Sequence, residues 1–75
     1  MKHGILAHLE IDSTTPVSVY TFAGAAAYQL HFDDAFSFRL NELPLPNAAA
    51  KHLANTGDRI YASGTGTVLL EGVEQ

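Results

Sequence analysis

The chain has 75 residues, of which 47% are hydrophobic, only 16% are charged and none is cysteine. A chain of this length buries only about 60% of the surface its unfolded form exposes, and without thiols neither a disulfide framework nor a thiolate metal site can reinforce so thin a core. Eight acidic against four basic residues give a formal net charge of −4, the opposite of the basic footprint of a duplex-binding protein. Sparse charge on so small a domain also leaves apolar surface that self-association would bury. No apolar run approaches the ~20 residues a membrane helix needs. Glu10 and Asp12 follow residues 4–7 too closely for a signal-peptide core. The expectation is one cytoplasmic domain over residues 1–75, with no membrane partner and no cofactor.

Residues 2–11 read as a first strand, with Ile5, Ala7, Leu9 and Ile11 on its inner face and Leu6 on the other, facing a partner. Asp12-Ser13-Thr14-Thr15-Pro16 has turn composition, and Pro16 cannot donate to a ladder. Residues 17–22 are rich in β-branched and aromatic side chains and make a second strand. It is apolar on both sides, with Val17 and Val19 opposite Tyr20 and Phe22. Ala23-Gly24-Ala25-Ala26-Ala27 reads as a turn or bulge where another backbone can approach closely.

Residues 28–40 carry the clearest pattern. Tyr28, Leu30, Phe32, Phe36, Phe38 and Leu40 share one parity, with Gln29, His31, Ser37 and Arg39 on the other. This is either a hairpin or one long strand bent at Asp33-Asp34. The prolines at 44 and 46 hold the next piece extended. Asn47 is then a candidate N-cap for a short helix over residues 47–55, with Gly57 as its stop and Ala49, Ala50, Leu53 and Ala54 as its apolar stripe. Residues 58–63 form a strand with Ile60 and Ala62 inward and Arg59 and Tyr61 outward. Gly64-Thr65-Gly66 turns the chain, and residues 67–72 form the last strand, with Val68 and Leu70 inward. Residues 73–75 are expected to fray.

The predicted fold is mostly β: a small antiparallel barrel of five or six strands with one short helix near residues 47–55. A bent ribbon gives five strands and the element order of an OB-type barrel. A hairpin gives six and an SH3-like or similar barrel. The phrase Gly57-Asp58-Arg59-Ile60-Tyr61-Ala62-Ser63-Gly64 resembles the segment that opens the fourth strand in many OB-fold domains.

His31 and Asp33, two apart in an extended chain, point to the same side. An imidazole and a carboxylate placed in this way could hold a metal or act as an oriented base. A polar tip in which Asp bonds its own backbone explains the same residues, and no dense ligand cluster supports a metal centre. His3 and His8 have opposite parity, so a regular strand cannot bring them to one ion. Gly64-Thr65-Gly66-Thr67 precedes a strand rather than a helix and so is not a phosphate loop. No serine stands in a nucleophile-elbow context, so an enzyme is not expected. Tyr20, Phe22 and Tyr61 with Arg39 and Arg59 make a candidate binding set. They form either a stacking platform for single-stranded nucleic acid or a subunit interface, where Tyr and Arg are enriched. The acidic balance and the near-absence of charge over residues 13–30 favour the interface. The expected function is a small soluble homo-oligomeric interaction and assembly module. A single-strand-binding barrel and a small-molecule-binding barrel are the alternatives.

Overall fold

The computed structural model describes residues 1–33 and 35–75. These form six strands and no helix: β1 (Lys2–Thr21), β2 (Ala26–Phe32), β3 (Phe36–Leu40), β4 (Leu43–Pro44), β5 (Lys51–Ala54) and β6 (Arg59–Glu74). Every pairing is antiparallel, and the sheet curls into a half-barrel.

Strand β6 is the spine. Its even-numbered side chains Ile60, Ala62, Val68 and Leu70 have no exposed surface, whereas Arg59, Tyr61 and Glu71 face out, as the period of two requires. Along one edge it pairs with β1 from Lys2↔Glu74 to Thr21↔Arg59. Along the other it pairs with β2 and then β3, end to end. Phe32 lies opposite Val68 and Phe36 opposite Gly64, so the two strands hold the same register against β6. β2 and β3 therefore follow one another along the same edge of β6 rather than pairing with each other as a hairpin. The Thr67 N–H donates to Asp33 Oδ1 at 3.1 Å, so that side chain fills a gap in the ladder. Asp34 lies outside the described residues. Tyr28, Leu30 and Phe38 are buried on the inner face, with Phe36 and Leu40 packed against them.

The two predicted turns do not reverse the chain. Asp12 pairs with Thr65 and Ser13 with Gly64, so the two groups of turn-forming residues face each other inside the long β1–β6 ladder. They bend it together. Gly64 (φ 138°) and Gly66 (φ 137°) adopt backbone that only glycine takes easily. β1 accommodates the same bend by a register shift between Ser13 and Val17. A further shift between Ile5 and Ala7 turns Ile5 outward, to 65% exposure, and lets Leu6 pack on the core, the reverse of the sequence reading. A third, between Ser18 and Tyr20, lets Val19, Tyr20 and Phe22 all contribute to the interior.

The expected helix is absent. Asn47 has φ 54°, incompatible with an N-cap, and its carbonyl accepts the Ala50 N–H in a tight turn. Residues 51–54 instead pair with β2 (Tyr28↔His52, Gln29↔Lys51), leaving Leu53 80% exposed rather than on an apolar stripe. A nine-residue helix is marginal by itself, and the unpaired edge of β2 offers these residues backbone partners. The chain end does not fray either. Glu74 pairs with Lys2 and Ala26, and the Gln75 N–H bonds the Ala25 carbonyl at 2.9 Å. A closed five- or six-stranded barrel is not formed. Among the described residues the far edge of β1 pairs with no strand.

Candidate functional site

The predicted binding set divides between the two faces of the sheet. Arg39 lies directly opposite Tyr61, whose other neighbour is Ser18, and Arg59 follows two places along β6. These three share the outer face, and both arginines are exposed. Tyr20 and Phe22 are not with them. Phe22 is 1% exposed and its ring lies 5.1 Å from Tyr20 and 5.2 Å from Tyr28 in the interior. A five-member platform does not exist, because the register shift at Val19 turns two of its members inward.

His31 and Asp33 also separate in role. His31 Nε2 lies 3.0 Å from Glu71 Oε1, both side chains about half exposed, while Asp33 binds the Thr67 amide. An exposed pair of this kind contributes little to stability, ~0–1 kcal/mol. No group of three potential metal ligands occurs among the described residues. The shift at Leu6 brings His3 and His8 to the same outer face, opposite Val73 and Leu69. They remain four positions apart along β6, too far to share an ion. A cleft of about 250 Å³ near this end is lined by His3, Gln29, Lys51 and Glu71 over the Gly4–Gly72 pair. It falls below the ~300–1,000 Å³ of usual small-molecule sites.

Glu74 is the polar residue the sequence reading missed. It is buried, and it accepts the Tyr20 hydroxyl on Oε1 and the Ala23 N–H on Oε2, each at 2.7 Å. The Tyr20 hydrogen bond, with help from the Ala23 and Gly24 amides and the charge of Lys2, holds its carboxyl below the usual range against the opposing effect of burial. Burial, reinforced by Glu74, pushes the Tyr20 hydroxyl up to about 12. A carboxylate whose two oxygens are both engaged inside the fold is a structural clamp, not a free acid or base. Its signal in the sequence is parity: Glu74 falls on the same inward-facing series of β6 as Val68 and Leu70.

The remaining feature is the free edge of β1. Strand edges present unpaired backbone donors and acceptors to any incoming strand. Here the edge is interrupted by Pro16 and three register shifts, which leave residues 7–13 as its longest regular piece. Leu9 lies in that piece on the inner face, opposite Val68, yet is 37% exposed. Comparison with known proteins adds no assignment: no family model, curated protein or solved structure matches the chain.

Proposed function

We propose that this protein is a small interaction and assembly module whose partner is a second copy of itself. The observation that carries the proposal is the open half-barrel. A 20-residue strand borders it with one edge unpaired among the described residues, and an inner-face leucine lies exposed at that edge. Strand addition to such an edge satisfies main-chain groups and covers apolar surface in one step. The low charge of the chain, 16%, favours the same reading. Sedimentation velocity from ~1 to ~200 µM, the range in which small interfaces act, is expected to show a concentration-dependent dimer. A single monomeric species throughout that range overturns the proposal.

A second reading, binding of single-stranded nucleic acid on the outer face, draws on the Arg39–Tyr61–Arg59 juxtaposition. It requires salt-sensitive affinity, since phosphate contacts release counterions. With two arginines against a net charge of −4, titration of a fluorescent oligonucleotide at low salt is expected to give no saturable binding below ~10 µM, given non-specific affinities of ~1–100 µM even for basic proteins. Tight binding abolished by Arg39→Ala would favour this second reading over the first.

A further inference from the structure

We infer that two copies join through β1 in antiparallel register, with the two-fold axis at Leu9, extending one sheet through both subunits. This rests on the assembly reading and specifies its geometry. In an antiparallel pair, directly opposed residues share a face. An axis at Leu9 sets Leu9 against its own mate and Ala7 against Ile11 of the partner subunit on the inner face. On the outer face it sets His8 against the partner's Glu10, twice. All five contacts are compatible: apolar meets apolar inside, and imidazole meets carboxylate outside.

The neighbouring registers fail this test. An axis at Glu10 opposes two carboxylates. An axis at Ile11 sets Glu10 against the partner's Asp12, and one at His8 opposes two imidazoles. A slip by one residue puts Leu9 opposite the partner's Glu10, mixing the inner and outer faces. The limits of residues 7–13 are set by the register shifts between Ile5 and Ala7 and between Ser13 and Val17, beyond which the edge is too irregular to pair. Across the axis the Leu9 Cα atoms would lie ~4.5–5.5 Å apart, within reach of a disulfide.

The chain has no cysteine, so single-cysteine variants give a clean readout. Leu9→Cys, Glu10→Cys and Ile5→Cys would each be oxidised mildly at ~100 µM, in the range where small interfaces act, and scored as covalent dimer. The expected result is that Leu9→Cys cross-links at least tenfold faster than either of the others. Fastest linking of Glu10→Cys overturns the register, and equal rates for all three overturn the edge. If sedimentation of the parent shows only monomer, the assembly reading itself fails. If it shows a dimer that Leu9→Cys does not trap, only this geometry fails. A charge exchange checks the outer contacts. His8→Glu is expected to weaken the dimer on the order of tenfold by opposing the partner's Glu10, and the added change Glu10→Lys to restore it. A His8→Glu dimer as stable as the parent also overturns the register.

Discussion

Gly72→Ala is expected to unfold much of the population or to lower the melting temperature by on the order of 15 °C. Gly72 is flanked by Gly4 of β1 and Tyr28 of β2. A methyl group there would lie 2.3 Å from the Ala27 carbonyl oxygen, 2.9 Å from Tyr28 Cα and 3.1 Å from Tyr28 Cβ. Two of these atoms are backbone, so no rotamer change relieves the clash. β2 must move away from β6, loosening the ladder that seats Tyr28 and Leu30 in the core and carries β5 on its other edge. Overpacking costs about 1–3 kcal/mol, at the upper end when backbone must give. That is a large share of the roughly 4–11 kcal/mol expected for a chain of 75 residues. Gly4→Ala is the control. Its methyl would meet nothing within 4 Å, but Gly4 has φ 111°, so its cost is conformational, about 1–2 kcal/mol. Thermal unfolding followed by circular dichroism separates the two. If Gly72→Ala melts no lower than Gly4→Ala, β2 does not approach β6 as closely as described.

The parts of the fold legible in sequence are those governed by the period of two. The inner faces of β2, β3 and β6 follow from parity alone, because these three strands pair with one another without a shift in register. β1 defeats the same reasoning in three places. A bulge inserts one residue and exchanges the faces beyond it, and nothing in Ile5-Leu6-Ala7 or Ser18-Val19-Tyr20 announces that exchange. Thus Ile5 is placed wrongly by one bulge and Tyr20 and Phe22 by another, and the proposed aromatic platform is lost with them. The segments at residues 12–16 and 64–66 mislead differently. Their residues are those of tight turns, but each bends against the other across a ladder, a long-range relation that local chemistry does not contain. At residues 51–54 local preference for helix yields to an available strand edge, as tertiary context commonly dictates for short segments. On the outer face, the Arg39–Tyr61 pairing is a matter of register and so could be stated only once β3 and β6 were aligned. The candidate edge at residues 7–13 is legible only in retrospect, since its boundaries are bulges.

Replacing Glu74 is the second large perturbation, and two substitutions divide its roles. Glu74→Ala removes both acceptors and leaves the Tyr20 hydroxyl and the Ala23 N–H unpartnered at the close of the β1–β2 bend. Orphaned polar groups inside a fold are among the costliest single changes, and a fall of on the order of 10 °C or more in melting temperature is expected at pH 7. Glu74→Gln keeps the shape. Its oxygen can still accept from Ala23 while its amide donates to the Tyr20 oxygen, so the loss at pH 7 is smaller. The group no longer titrates, however. In the parent the carboxyl is held below its ordinary value of 4.5. Its stabilising effect is therefore complete above that value and is lost as the pH falls through the lower value of the folded state. Asp58, lowered by the Asn55 amide and the Asn41 side chain, has the same sign. The parent is thus expected to lose stability steeply below about pH 4.5, and Glu74→Gln to lose it less steeply, keeping only the Asp58 share. At the alkaline end Tyr20 behaves oppositely. Its hydroxyl is raised from 10 to about 12, so its contribution is intact below 10 and disappears as the pH rises towards 12. Tyr20→Phe should reduce that alkaline loss to the share of Tyr28, whose hydroxyl burial also raises, while leaving Glu74 to its backbone amides. Denaturant midpoints measured from pH 2.5 to 7 for the parent and Glu74→Gln decide the matter. Parallel curves would mean that Glu74 is not the clamp joining the end of β6 to the bend between β1 and β2.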